Sequence, residues 1–326
     1  MPFRRILFVL VSTPALRHIF ETVACLGPVD FEFCFIDDPA DPGPCNLRLH
    51  AAVRRFCPDL VVLVPTIVAF DQMPTRGYLD NLRHELHVPV VQLFTDLAKP
   101  VWQELAPKLV VAADLAVSIV GNGSATVDRS TRPDIEWLEL WTPALPPTPL
   151  NAVRDIDLSM LGSFKDFPHR VEAIERLQRD GISIVTGGGQ ESGYSMDITD
   201  YFRTMQRSKM VLNFSRLGVR NVTADGFVHG LKGRVTEAIA CGALLLESEN
   251  KVTPRYFSPN EDYVPFGDLD DLIAKIRFYA ANEDKARSIA EHGHRTFIER
   301  YTAKIFWTRV LEAAARAAER LAQPHH

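Results

Sequence analysis

Lys232, Arg234 and Glu237 are the residues whose types and spacing come nearest to a chemistry. They open the run Lys-Gly-Arg-Val-Thr-Glu-Ala-Ile-Ala-Cys-Gly-Ala-Leu-Leu-Leu-Glu-Ser at 232–248. The run reads as a short helix followed by a buried strand. Ala238 to Cys241 are small or apolar, Gly242 is a helix stop, and 243–246 is an apolar run of strand length. Lys232 and Arg234 fall at the helix start, where free backbone N–H groups and the dipole favour an anion. Helix starts ordinarily prefer acids, so two cations there ask for an explanation. Glu237, one turn on, cannot help to hold a phosphate, but its carboxylate can accept two hydrogen bonds from a sugar diol. Together these residues suggest a seat for a sugar nucleotide, with the phosphates at the helix end and the ribose on Glu237. The competing reading is an amphipathic helix capped by glycine.

The whole chain sets the frame for that seat. A length of 326 residues suits two domains better than one core. The balance of 46% hydrophobic and 24% charged residues is that of a globular protein, and the net charge of −5 gives no support to a nucleic-acid partner. The opening apolar run is too short for a signal peptide, and no run reaches membrane-span length. The five cysteines never fall in C-x-x-C spacing, so reduced thiols in a cytoplasmic protein are expected. His325 and His326 are assigned no role.

The elements that must position the seat follow a βαβα rhythm. In the first half, strands are expected at 6–11, 31–36, 60–64, 88–94, 115–120 and 135–140. Thr13-Pro14 caps a helix reaching about Leu26, and helices at 47–56, 74–85 and 100–110 lie between the strands. No G-x-G-x-x-G follows the first strand, so Asp37 reads as a turn residue and not a ribose ligand. A proline-rich stretch at 141–155 reads as a linker. The rhythm then restarts with strands at 156–161, 182–186 and 210–214 and helices at 168–179 and 198–207. Asp268 caps a further helix, and two more helices complete the chain. The fold class expected is α/β, with two Rossmann-like, doubly wound parallel sheets. The domains are 1–140, a linker at 141–155, 156–302, and a terminal helix at 303–326.

The pattern Lys-Gly-Arg-Val-x-Glu-Ala-x-Ala-x-Gly-x-Leu-Leu resembles the donor-site helix of group 1 (family 4-like) glycosyltransferases. It is closest to their spore-maturation-protein-like branch, and the match runs over roughly 156–307. The resemblance implies the GT-B fold, with two domains facing across a cleft, the acceptor on the first and the donor on the second, and the last helix crossing back to the first. It implies a retaining hexosyltransferase using a nucleotide sugar, expected to be a UDP-sugar, and an unidentified acceptor hydroxyl on a glycan, lipid, protein or small molecule. Such enzymes generally show E-x7-E. Here the eighth residue before Glu237 is His229, so the chain reads H-x7-E, and contacts to the donor sugar do not carry over directly. His229, in the polar, glycine-rich loop 216–230, is either a donor-sugar contact or a solvated histidine.

The remaining candidates follow from position, since ligands of such sheets sit at the carboxyl ends of strands. Gly162 and Ser163 would allow close backbone approach to the donor. Asn213, Phe214 and Ser215 end a strand beside the central helix, and Ala238 lies within it. Arg170 is either a second phosphate ligand or a surface helix arginine. In the first half, Asp96 could hold or deprotonate an acceptor hydroxyl, or simply cap a helix. His18 is the rival base, or a packed histidine. Asp155-Ile156-Asp157 has the D-x-D form of a metal site, but it precedes its strand and reads as strand entry. No metal and no cofactor is expected. Arg234, Lys232 and the helix dipole would meet the leaving charge. A nucleotide-sugar-binding protein without transfer, and a two-Rossmann sugar-nucleotide epimerase, are the alternatives.

Overall fold

The computed structural model describes residues 2–12, 16–37, 44–66, 72–95, 97, 101–119, 127–128, 130, 132–145, 153–164, 167–188, 196–217, 222–223 and 226–322. The chain divides into two compact units. One is formed by Met1–Trp141 with Ala303–His326, the other by Thr142–Thr302.

The first unit runs β1 (Arg5–Leu10), α1 (Arg17–Thr22) with a 3-10 turn at Val23–Leu26, β2 (Asp30–Phe35), α2 (Cys45–Phe56), β3 (Leu60–Val64), α3 (Arg76–His84), β4 (Val90–Phe94), α4 (Val101–Val110), β5 (Leu115–Ile119) and β6 (Glu136–Leu140). The six strands form one parallel sheet in the order β2-β1-β3-β4-β5-β6. Every residue of β3, β4 and β5 is buried. Helices on both faces of a parallel sheet explain why these strands read as unbroken apolar runs. Asp37 accepts the Ser12 backbone N–H at 2.7 Å, which makes it a turn residue beyond β1 and β2. Thr13 and Pro14 lie outside the described residues.

The second unit runs β7 (Ile156–Gly162), α5 (Pro168–Arg179), β8 (Val185–Gly188), α6 (Ile198–Arg207), β9 (Ser208–Asn213), β10 (Val222–Thr223), β11 (Gly226–Phe227), α7 (Gly233–Ala240), β12 (Leu244–Ser248), β13 (Val264–Phe266), α8 (Leu269–Ala281) and α9 (Glu283–Arg300). Its parallel sheet has the order β13-β12-β9-β7-β8. One face carries Leu158, Met160, Met210, Leu212, Leu244 and Leu246 in a core shared with α5 and α8. The other face alternates with it, holding Val211, Asn213, Leu245 and Glu247, and α7 packs against β9 and β12. Gly242 adopts φ +65°, and Gly242 and Ala243 bond back to Ile239 and Ala238, ending α7 with the glycine stop that its sequence announces. Arg154 ties the entry of this unit together. Its guanidinium donates to the carbonyls of Gln206 and Ser208 (3.0 and 2.6 Å) and of Cys241 and Gly242 (2.9 and 2.6 Å). The chain then continues as α10 (Ala303–Ala322), which belongs to the first unit. There Trp307 donates its indole N–H to Thr22 at 3.0 Å, and its ring meets Phe8 edge-on at 5.5 Å.

Two local expectations are corrected. The strand expected at 182–186 starts at Val185, because Gly181 turns at φ +76° and the Ile182 N–H still bonds the Leu177 carbonyl as the cap of α5. The loop expected at 216–230 contains the β10–β11 ladder and an Arg216–His229 bridge.

Candidate functional site

In the second sheet the strand order reverses between β7 and β9, and ligands of doubly wound sheets bind outside the carboxyl ends at such a point. Gly162 ends β7 and Asn213 ends β9, with the start of α7 beside them. Arg234 bridges these ends. Its Nη1 donates to Asn213 Oδ1 at 2.6 Å, while its Nε is buried with no hydrogen-bond partner among the described residues. Gly162 has φ +140°, and a methyl built on it would fall on the Arg234 guanidinium. The glycine is therefore what gives the arginine its room.

Glu237, only 7% exposed, lies in the second turn of α7 and accepts the Tyr201 hydroxyl on Oε2 at 2.6 Å. Lys232 is the N-cap of α7, and the first turn contains no acid. The Lys232 ammonium stands 5.4 Å from the centre of the Phe167 ring, and the Arg170 guanidinium 3.8 Å from the same ring. Arg170 is no surface arginine. It is 2% exposed, and it donates to the carbonyls of Ser163 (2.8 Å) and Phe214 (3.3 Å) at the ends of β7 and β9. Burial, then neighbouring Arg234, pulls its pKa down to about 9.

His169, beside Arg170 in the first turn of α5, packs its ring 5.3 Å from Phe214. Both its ring nitrogens are buried without a hydrogen-bond partner among the described residues. Burial first, then the charges of Arg170, Arg216, Lys232 and His229, pushes its pKa down to about 4. His229 meets the Ser215 hydroxyl at 2.7 Å through Nδ1, and Ser215 meets Ser248 at 3.1 Å. Burial and then Arg216 lower the His229 pKa, so it is held neutral. Among the described residues the arrangement gathers cations and neutral imidazoles around strand ends and a helix start, with the Glu237 carboxylate at its side. Such a surface suits a polyanion joined to a polyol.

The structure thus gathers Glu237, Arg234, Lys232, Gly162, Ser163, Asn213, Ser215 and His229 at the carboxyl end of one sheet. Ala238 is instead sealed in the core; it seats α7 on the sheet. His18 lies on α1 of the first unit, and Asp96 lies outside the described residues. Asp155 and Asp157 are engaged at the other end of β7, with Arg207 (2.5 and 2.7 Å) and Lys209 (2.9 Å). Among the described residues no group of three or more His, Cys, Asp or Glu side chains is placed to hold a metal ion, and no helix is long and apolar enough to cross a membrane.

Four participants escape a sequence reading: Tyr201, His169, Arg216 and Glu247. Glu247 ends an apolar strand, where an acid reads as solvent-exposed, yet it is 0% exposed. The signal available was its register, since β12 sets Glu247 directly beside Asn213.

Residues 153–312, just under half of the chain, match the family described as Glycosyl transferase-like. No curated protein matches the chain by sequence. Among solved structures, the fold resembles Anabaena HepE in complex with UDP and glucose (TM-score 0.62, 12% identity, 96% of this chain and 100% of that one). It also resembles sucrose-phosphate synthase from Thermosynechococcus elongatus (0.60, 12%, 97% and 100%). A third likeness is a glycosyltransferase from Rickettsia africae (0.59, 12%, 96% and 98%). The match to the spore-maturation-protein-like branch is not among these findings. The second unit thus matches the glycosyl transferase-like family over 153–312, and the chain has the GT-B fold of these solved structures.

Proposed function

We propose that the chain moves a hexose from a UDP-sugar to an acceptor hydroxyl, with retention and without a metal. The observation that carries this reading is Arg234, set at the switch point on Asn213 and over Gly162 with its buried Nε unpartnered. HepE, alike in fold, was solved with UDP and with UDP-glucose, which supports uridine as the base. In this reading Arg234, Lys232 and the start of α7 take the diphosphate, and Glu237 takes the ribose hydroxyls. Ser163, Asn213 and Ser215 line the donor, and His229, held by Ser215, is turned to its sugar. The bond from the sugar's anomeric carbon to the β-phosphate oxygen breaks, and its electron pair leaves with UDP. The acceptor oxygen bonds that carbon and gives up its proton. Asp96 and His18 are the candidate bases, to be separated by single variants. The developing charge on UDP meets fixed cations and helix N–H groups, which need no reorganisation.

The test is calorimetric binding of UDP, GDP, ADP and dTDP, with and without EDTA, to the wild type and to Glu237→Ala. UDP should bind best, unaffected by EDTA, and about a hundredfold more weakly to the variant, since two charge-assisted bonds are lost. Slow release of UDP from UDP-hexose should follow. Binding without any turnover would favour a nucleotide-sugar-binding protein. Interconversion of sugar nucleotides without free UDP would favour an epimerase. No binding of any of the four would remove the donor site from this helix.

A further inference from the structure

Glu247 has no part in the reading above, yet it lies directly behind its central cation. Register sets Glu247 of β12 beside Asn213 of β9, on the face that α7 covers. Asn213 uses both ends of its amide. Its Nδ2 donates to Glu247 Oε2 at 2.6 Å, and its Oδ1 accepts from Arg234 Nη1 at 2.6 Å. An amide has one donating and one accepting end, so the carboxyl oxygen fixes which way Asn213 points. Without that acceptor Asn213 could turn its NH2 to Arg234, where donor would meet donor. We propose that Glu247 is a positioning residue that, through Asn213, holds Arg234 ready for the donor diphosphate and makes donor affinity depend on the Glu247 proton. This inference rests on Arg234 as a diphosphate ligand.

The groups around Glu247 decide how it titrates. Asn213 faces it from β9, Arg234 and Lys232 from the start of α7, and Arg170 from α5. Asn250, in the loop after β12, approaches Oε1 at 3.4 Å, and Tyr263 lies before β13. On α9, which also packs on β12, His294 is committed to the Ile239 carbonyl at 3.2 Å. Burial outweighs the Asn213 hydrogen bond and the three cations and pushes the Glu247 pKa up to about 8. At neutral pH the carboxyl is therefore mostly protonated, and the site keeps its positive field. Above pH 8 a carboxylate competes with the diphosphate for Arg234. A bound diphosphate offsets the Arg234 charge that lowers the Glu247 pKa, so binding raises that pKa further and takes up a proton.

The experiment measures UDP affinity from pH 7 to 9 for the wild type and for Glu247→Gln, a near-isosteric change that keeps an acceptor for Asn213. The ionisation of UDP itself is common to both proteins and cancels. Wild-type affinity should fall by about tenfold from pH 7 to 9, as expected when the binding form carries one proton with a pKa near 8. In Glu247→Gln most of this fall should be lost, leaving only a shallow remnant near pH 9 from Arg170, whose pKa is lowered to about 9. Should the variant not fold, calorimetry of the wild type at pH 8 in two buffers of different ionisation enthalpy decides, with uptake of about half a proton on binding expected. Equal pH profiles in the two proteins, or no proton uptake, would overturn the role of Glu247 while leaving the donor site intact. Absence of UDP binding at every pH would overturn both readings.

Discussion

The Tyr201 hydroxyl donates to Glu237 Oε2 at 2.6 Å, and both side chains are buried. The phenol comes from α6 and the carboxylate from α7, so packing of two helices sets the orientation of this buried acid. If Glu237 takes the ribose as proposed, it does so with a carboxylate that Tyr201 orients. Tyr201→Phe should therefore weaken UDP about fivefold, the equivalent of roughly 1 kcal/mol for one hydrogen bond. Glu237→Ala should cost far more. The double variant should resemble Glu237→Ala alone, because Tyr201 acts through Glu237. Calorimetry on the four proteins checks this.

Gly162→Ala tests the room left for Arg234. The new methyl would fall on the guanidinium, at a backbone φ of +140° that L-residues seldom adopt. UDP affinity should drop at least tenfold, while weak binding of uridine, which has no phosphates, should change little. A parallel loss for uridine would mean that the whole site had collapsed.

His169 predicts an acid limb in stability. Its folded pKa, about 4, lies below the ordinary histidine value of 6.5. As pH falls below about 6.5 the unfolded chain gains a proton that the folded protein refuses, so stability is full above that pH and declines toward pH 4. His169→Phe, which keeps a ring against Phe214, should flatten the fall in melting temperature between pH 6.5 and 4.5. Thermal melts across that range provide the check.

Gly293, inside α9, reverses a usual rule. Glycine to alanine within a helix ordinarily gains up to about 1 kcal/mol. A methyl here would fall on the backbone carbonyl oxygen of Asp262, which cannot swing aside as a side chain can. Gly293→Ala should destabilise the second unit by roughly 1–3 kcal/mol, the cost of an overpacked contact. Denaturant unfolding monitored by circular dichroism would show it as a lower midpoint.

How far all this was legible depends on what each residue's neighbours in sequence disclose. Lys232, Arg234 and Glu237 announce themselves because a helix start and a glycine stop frame them within eleven residues. The sheets were legible because buried parallel strands have no polar face to hide their pattern. Arg170 was not, because a helix with arginines on several faces gives no sign of which one the carbonyls of Ser163 and Phe214 will draw inward. Glu247 and Tyr201 depend on pairings made across the fold, with Asn213 34 residues away and Glu237 36 residues away. Local periodicity holds no record of such partners.

The four carbonyls gathered by Arg154 bear on where the second unit can be cut free. Two belong to the junction of α6 and β9 and two to the turn that ends α7, so the arginine serves as a clasp for chain segments that lie 33 residues apart in sequence at the nearest. A fragment beginning at Ile156 would start at a strand and look complete, yet it would shed the clasp. An autonomous version of this half should start upstream of Arg154. Proteolytic nicking on its C-terminal side would then loosen the unit, whereas a nick before it would leave the unit whole.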